Sequence, residues 1–91
     1  MSAMSRQLTI INKLGLHARA AAKLVNTAGQ FTSSVTVKCH GKDANAKSIM
    51  SVMMLAAAKG ATLHIEIEGE DEKEALAALV TLIENRFDED E

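Results

Sequence analysis

The residues best placed to do chemistry are His17 and Arg19, in the segment LGLHARAAAKLV at positions 14–25. Gly15 interrupts the chain before the histidine, and the alanines from Ala18 onward favour a helix. His17 is therefore predicted to lie at the start of a helix, where backbone N–H groups lack intrahelical partners and the helix dipole adds partial positive charge. This position favours a neutral, nucleophilic imidazole over the imidazolium cation.

A phosphoryl group is the ligand that this arrangement would hold best. On His17 it would face the N–H groups of Ala18 and Arg19, and the Arg19 guanidinium would add a charge-assisted pair of hydrogen bonds. Gly15 would let a partner bring its own phosphorylated residue close for in-line transfer. The competing interpretation is that His17 is an ordinary cap or surface residue, because short motifs match by accident.

Composition argues against several other kinds of site. Cys39 is the single cysteine, so the chain has no internal disulfide and suits a reducing compartment. His40 and His64 lack the spacing of a metal pair, with each other or with Cys39. We interpret both histidines as exposed strand residues and Cys39 as a core residue, and we expect neither a metal nor a cofactor.

Charge is unevenly distributed along the chain, although the net charge is only −2. Residues 1–65 contain eight Lys or Arg and one acid, whereas residues 66–91 contain two basic and eleven acidic residues. The half with His17 therefore suits an anionic ligand or an acidic partner surface. The absence of Trp and Tyr argues against a nucleic-acid partner. Short apolar runs and the absence of a signal-peptide pattern predict a cytoplasmic protein with no membrane insertion.

The pattern along the chain predicts one domain over residues 1–91, with elements in the order β-α-β-β-α-β-α. Strands are expected at 7–12, 33–40, 41–47 (a turn and a short or edge strand) and 62–69. Helices are expected at 18–29, at 48–60 (possibly shorter) and from the acids of 70–74 onward. The first helix would bury Ala18, Ala21, Ala22, Val25 and Ala28. The last would bury Leu76, Leu79, Val80, Ile83 and Phe87, and residues 88–91 would form a solvated acidic tail.

The second and last strands alternate apolar and polar residues, which indicates a sheet covered on one face only. We therefore predict an α+β open-faced sandwich, with a four-stranded antiparallel sheet and three helices on one face. The same order of elements permits a ferredoxin-like regulatory domain that binds small molecules. Element order alone does not decide between these functions.

The segment GLHARAAAKLV at 15–25 resembles the active site of the histidine-containing phosphocarrier (HPr) family of the bacterial phosphotransferase system. The segments KSIMSVMMLAAAKG at 47–60 and LHIEIEGEDEKEALAALVTLI at 63–83 resemble the rest of that family's pattern. The resemblance implies a carrier rather than an enzyme with its own turnover. His17 would accept a phosphoryl group on its δ-nitrogen from phosphoenolpyruvate-charged enzyme I and pass it to a IIA-type protein, with Arg19 in support.

The resemblance also bears on the branch of the family. A long second helix and the acidic FDEDE tail look more like the nitrogen-related carriers (NPr), with a regulatory output, than like the sugar-transport carriers. The family commonly has proline at the position of Ala20. The absence of proline from this chain removes a residue that is preorganised for the first helical turn, which lowers the expected local rigidity there.

Two further features concern regulation and docking. Ser48 is the predicted N-cap of the second helix, and the resemblance allows a serine kinase to phosphorylate it, as happens in some members of the family. The helix after it is predicted to expose an apolar docking patch within a basic rim formed by Arg19 and Lys47. The patch residues are Ile49, Met50, Met53 and Met54.

Overall fold

Four strands form one antiparallel sheet in the computed structural model, which describes residues 3–91; Met1 and Ser2 of the predicted domain lie outside that range. The strands are β1 (Met4–Thr9), β2 (Ser34–Cys39), β3 (Lys42–Asn45) and β4 (Thr62–Glu68), in the order β1-β4-β2-β3. The helices are α1 (Ala18–Gly29), α2 (Ile49–Met53) and α3 (Glu72–Glu84), and a single turn follows at Arg86–Asp88.

This architecture is the predicted α+β sandwich. The first and third strands lie at the two edges of the sheet, whereas a ferredoxin-like sheet has them at its centre. The ferredoxin-like alternative is therefore wrong. No helix within residues 3–91 has the length and apolar character needed to span a bilayer.

Strands β2 and β4 follow the predicted alternation and supply one apolar face to the core. Their buried residues are Val35, Val37, Cys39, Leu63, Ile65 and Ile67. On the opposite face Lys38 and Glu66 are half-buried and form an ion pair at 3.3 Å. The helices cover the apolar face, and Phe87, in the turn that packs against α1 and α3, is the largest fully buried side chain of the described residues.

Strand β1 lies three residues earlier in the chain than the predicted 7–12. Its register pairs Met4 with Ile67 and Thr9 with Thr62, so β1 follows β4 along almost its whole length. The partner strand therefore sets the limits of β1, and this tertiary pairing overrides the composition of β1 itself.

Helix α1 has the predicted bounds, but its buried face is rotated slightly. Ala20 and Leu24 are fully buried, whereas Ala18 is exposed. Helix α2 has only five residues. The prediction of a long second helix, which favoured the NPr branch, is therefore wrong. The backbone of Ala56 has a φ of 52°, in the left-handed region, and the chain cannot continue as a helix through it.

Asp71 ties the start of α3 to the loop before β2. Its carboxylate accepts hydrogen bonds from the Ser33 hydroxyl and from the backbone N–H groups of Thr32 and Ser33, both at 2.9 Å. These hydrogen bonds, that of the Ser33 hydroxyl foremost, lower the pKa of Asp71 to about 2.

We expect Asp71→Asn to destabilise the protein at pH 7, and by much less at pH 2. Folding lowers the pKa of Asp71 from 3.8 to about 2. The carboxylate therefore contributes fully to stability at a pH above its unfolded pKa, and this contribution is lost as the pH falls through its folded pKa. Urea unfolding midpoints measured from pH 7 to pH 2 should show the difference between wild type and variant shrinking with acid. Glu70→Gln, at an exposed neighbouring carboxylate, is the matched control. A difference that does not depend on pH would contradict this account.

Candidate functional site

His17 is the N-cap residue of α1, as its position in the sequence predicts. Its backbone is extended, with φ −75° and ψ 179°, and its carbonyl accepts the first helical hydrogen bond, from Ala21 N–H at 2.8 Å. Its ring Nδ1 accepts a hydrogen bond from the backbone N–H of Arg19 at 3.3 Å. Nδ1 must therefore carry a lone pair, which points towards the amides of the first helical turn.

The other ring nitrogen of His17 contacts the C-terminal tail. Nε2 is hydrogen-bonded to Oε2 of Glu89, and the histidine side chain is 25% exposed. An ionised carboxylate can only accept a hydrogen bond, so the proton is assigned to Nε2 from the hydrogen-bond network. Both contacts of the ring select the same tautomer.

The carboxyl group of Glu89 is held in its ionised form by its neighbours. Burial is the largest single effect and acts to raise its pKa, but the net shift is downward. The hydrogen bonds from Asn12 and His17, together with the nearby positive charge of Arg19, hold the pKa of Glu89 below its usual value.

Asn12 connects the tail to the loop before α1. Its side chain is buried, and Nδ2 donates hydrogen bonds to the Gly15 carbonyl and to Oε1 of Glu89, both at 2.8 Å. Both partners are acceptors, which fixes the orientation of the amide. Sequence reasoning missed Asn12 and Glu89, because neither has a local signal that distinguishes it from an ordinary strand end or tail residue.

Asp88, Asp90 and Glu91 are exposed, as expected for a solvated tail, but the side chain of Glu89 is only 13% exposed and the segment is held in place. After α3, the residues Arg86, Phe87 and Asp88 have φ values of 57°, 53° and 64°, and this left-handed turn carries Phe87 into the core. Lys23 Nζ donates a hydrogen bond to the Phe87 carbonyl at 2.9 Å, and the backbone N–H of Lys13 donates to the Glu91 carbonyl at 2.8 Å. The tail is thereby held over the start of α1.

A groove of about 600 Å³ lies between the start of α1 and the tail. Lys13, Arg19 and Lys23 line its basic side, and residues 88–91 line its acidic side. Arg19 is exposed and forms part of this wall, two residues from His17. Its guanidinium is thus the cation nearest in sequence to the His17 ring.

Gly15 serves the packing of the loop, and its predicted role in the approach of a partner stays a prediction. It is buried, with a φ of +68°, and a Cβ atom at this position would lie 2.7 Å from the Ala57 carbonyl oxygen. The same carbonyl accepts a hydrogen bond from Leu16 N–H at 2.8 Å. The close contact between the two loops therefore excludes a side chain at position 15.

We expect Gly15→Ala to lower the free energy of unfolding by about 2–5 kcal/mol, from left-handed strain and steric overlap together. Gly41→Ala is the matched control, because Gly41 has a φ of +77° but a Cβ atom there would meet nothing within 4 Å. Its loss should be limited to about 1–2 kcal/mol of backbone strain. Urea denaturation of the two variants measures both values, and equal losses would contradict the packing argument.

Helix α2 and its C-cap residue Met54 expose all four predicted patch residues. The exposed fractions are 39% for Ile49, 68% for Met50, 39% for Met53 and 70% for Met54. Leu14, in the loop before His17, is 67% exposed and is a further apolar residue that the sequence analysis did not include.

The ends of α2 are fixed by hydrogen bonds. Ser48 is its N-cap, as predicted, and the hydroxyl accepts a hydrogen bond from Ser51 N–H at 3.4 Å. Lys47 Nζ donates to the carbonyl of Phe31, beyond the C-terminal end of α1. Lys47 therefore lies at the end of α2 away from His17, whereas the chain after α2 reaches the His17 loop at Ala57.

The remaining sequence candidates lie away from His17. Cys39 is buried, as predicted, and burial raises the pKa of its thiol. His64 is a half-buried strand residue beside Glu66, and His40 lies in the turn after β2 rather than in a strand. Within residues 3–91 no three His, Cys, Asp or Glu side chains are grouped in a way that would hold a metal ion.

Comparison with known proteins defines the class to which this fold and site belong. The crystal structure of HPr-C-His from Thermoanaerobacter tengcongensis matches with a TM-score of 0.92 and 45% identity, over 97% of this chain and 99% of that one. The family model "PTS HPr component phosphorylation site" matches residues 4–85. The chain belongs to the HPr family, the phosphocarrier proteins of the phosphotransferase system, as the resemblance implied.

Two curated relatives bear on the branch of the family. The phosphocarrier protein HPr of Pseudomonas aeruginosa is 60% identical over 86 residues, which are 93% of this chain and 96% of that protein. The phosphocarrier protein NPr of Proteus mirabilis is 44% identical over 86 residues, with the same coverage. These identities support a sugar-type carrier at least as well as a nitrogen-related one.

Proposed function

We propose that His17 carries the phosphoryl group on Nδ1, taking it from an enzyme I-type donor and passing it to a IIA-type acceptor in the cytoplasm. The observation that carries this proposal is the tautomer of the ring. Nδ1 has an electron pair at the start of α1, which accepts the N–H of Arg19, and the hydrogen-bond network assigns the proton to Nε2. A nucleophile with this geometry needs no base to activate it.

The first turn of α1 would hold the transferred group. In the unphosphorylated protein the N–H of Arg19 is bonded to Nδ1, and a phosphoryl oxygen would take over that hydrogen bond together with the N–H of Ala18. The Arg19 guanidinium, in the wall of the groove, would add a charge-assisted pair of hydrogen bonds. The positive end of the helix dipole lowers the free energy of the bound anion further.

The exposed apolar residues would form the docking surface for donor and acceptor. Apolar side chains are exposed to solvent at Leu14 and at the four patch residues Ile49, Met50, Met53 and Met54. The chain after α2 contacts the His17 loop, so a partner on this surface would reach the ring. Lys47 and Arg19 would border the surface as basic residues.

Ser48 has an observed role as the N-cap of α2, and its phosphorylation by a serine kinase stays a prediction. A phosphate there would add negative charge beside Ile49 and Met50. That charge would weaken the docking of an acidic partner surface.

The test is phosphorylation with enzyme I and labelled phosphoenolpyruvate. We expect one acid-labile phosphate per chain, and coupling between phosphorus and the ring nitrogens in the NMR spectrum should locate it on Nδ1. A label that is stable in acid, or that lies on Nε2, would refute the proposal.

The branch is tested with the phosphorylated protein and two acceptors, a IIA protein of the sugar-transport branch and one of the nitrogen-related branch. The tail sequence predicts the nitrogen-related acceptor, whereas the relatives named HPr favour the sugar-transport acceptor. The acceptor with the higher second-order rate constant identifies the branch.

A further inference from the structure

We propose that Glu89 is a positioning residue for phosphoryl transfer, which keeps the proton of His17 on Nε2 and thereby keeps Nδ1 as the nucleophile. This inference rests on the proposed function of His17 and adds the group that sets the state of its ring. Glu89 would act through the histidine and would not touch the transferred group.

The carboxylate of Glu89 is held from both sides. Oε1 accepts from Asn12 Nδ2 at 2.8 Å and Oε2 contacts Nε2 of His17, so each oxygen has its own donor. The Glu89 side chain is only 13% exposed although it lies in the C-terminal tail. Asn12 is itself buried and is tied to the Gly15 carbonyl. Hydrogen bonds therefore run without a break from the Gly15 carbonyl through Asn12 and Glu89 to His17, and they fix the plane of the imidazole ring.

The tail that carries Glu89 is also fixed at its base. Phe87 is fully buried, and its carbonyl accepts a hydrogen bond from Lys23 Nζ. On the other side of Glu89, the Glu91 carbonyl is bonded to the N–H of Lys13. Glu89 is thus between two anchored residues, which limits the freedom of its carboxylate before any partner binds.

The ring can then pass a phosphoryl group without moving a proton. The Nδ1 electron pair forms a bond to phosphorus while the bond from phosphorus to the donor atom breaks and returns its electron pair to that atom. The product ring keeps its proton on Nε2 and becomes a cation, which lies between the phosphoryl group and the Glu89 carboxylate. When the acceptor attacks phosphorus, the Nδ1–P bond breaks, its electrons return to Nδ1, and the neutral ring is restored.

The contact would therefore have two effects. It prevents the alternative tautomer, in which Nδ1 carries the proton and has no electron pair for attack. It also places a negative charge beside the ring at the stage when the ring is positive, and such charge-assisted hydrogen bonds are stronger than neutral ones.

The experiment compares Glu89→Gln with Glu91→Gln, which removes the same charge two residues away. Glu91 is an exposed residue whose side chain pairs with Lys13 rather than with His17. At position 89 a glutamine has one accepting oxygen for two donors, Asn12 and His17, so it cannot reproduce the contact. Glu89→Ala is a second variant that removes the contact without introducing a new donor. Urea midpoints establish that all three variants are folded.

The first readout is the NMR spectrum of the unphosphorylated ring. In wild type and Glu91→Gln we expect one tautomer and a slowly exchanging Nε2 proton at low field, and we expect that proton signal to be lost in both Glu89 variants. The second readout is the rate of phosphorylation by enzyme I, which should fall about tenfold in the Glu89 variants, as for the loss of one charge-assisted hydrogen bond. The fall should be in the turnover number rather than in the half-saturating concentration, since Glu89 lies outside the docking surface.

The outcomes separate the two proposals. If wild-type protein takes up the label and the variants at positions 89 and 91 are phosphorylated at equal rates, the role of Glu89 alone is overturned. An unchanged Nε2 proton signal in Glu89→Ala would do the same without any phosphorylation. The absence of label from wild-type His17 would instead overturn the proposed function.

Discussion

His17→Ala is expected to take up no phosphoryl group from enzyme I and phosphoenolpyruvate, a reduction of at least about a thousandfold in the rate of labelling. His17 supplies the imidazole nitrogen at the start of α1, and the amides of Ala18 and Arg19 cannot themselves form the covalent bond. Rapid-quench labelling of the purified variant measures the loss.

The control for this variant is His64→Ala. His64 is also a half-buried imidazole with a carboxylate beside it, since its Nε2 lies 3.5 Å from Glu66. It differs in lying on a strand, away from any helix start, and its removal should leave labelling unchanged. Because His17 is a helix cap, His17→Ala should also cost about 1 kcal/mol of stability, which leaves a folded protein to assay. Residual acid-labile label in His17→Ala would contradict the assignment of the site.

The second large effect is expected at Phe87, where replacement by alanine should lower the free energy of unfolding by about 3–5 kcal/mol. Phe87 is fully buried and the largest side chain in the core, so alanine would leave a cavity between α1 and α3. That loss is a large part of the total stability of a domain of this size. Urea or thermal unfolding of the purified variant measures it.

Phe87→Leu is the matched control, because leucine keeps most of the apolar volume and should cost less than about 1.5 kcal/mol. Phe87→Ala should in addition lose the low-field Nε2 proton of His17, since the buried ring anchors the segment that carries Glu89. Similar stabilities for the alanine and leucine variants would show that the ring does not anchor the tail.

The parts of the fold that depend on local pattern could be predicted from the sequence. The strict alternation of apolar and polar residues predicted the buried and exposed faces of β2 and β4. The glycine followed by alanines predicted that α1 starts at His17. Ser48 as a cap and the exposure of Met50 and Met54 also follow from short-range patterns.

The errors arose where a distant segment decides the local structure. Strand β1 takes its limits from β4, and α2 ends early because the chain must bring Ala57 to the loop of Gly15. The tail has a composition typical of solvated segments, yet a buried phenylalanine and the side chain of Asn12 hold it in place. No pattern within the tail encodes these contacts.

The site around His17 is assembled from segments that are far apart in the chain. Glu89 contacts His17 across 72 residues and Asn12 across 77, and the loop of Gly15 meets Ala57. Contacts at such separations form only after long loops have closed, so they belong to the late, cooperative stage of folding. Only molecules that have completed that stage will present a correctly oriented ring. The yield of phosphorylated protein during refolding should therefore rise with the native population itself, and would serve as a direct count of correctly folded chains.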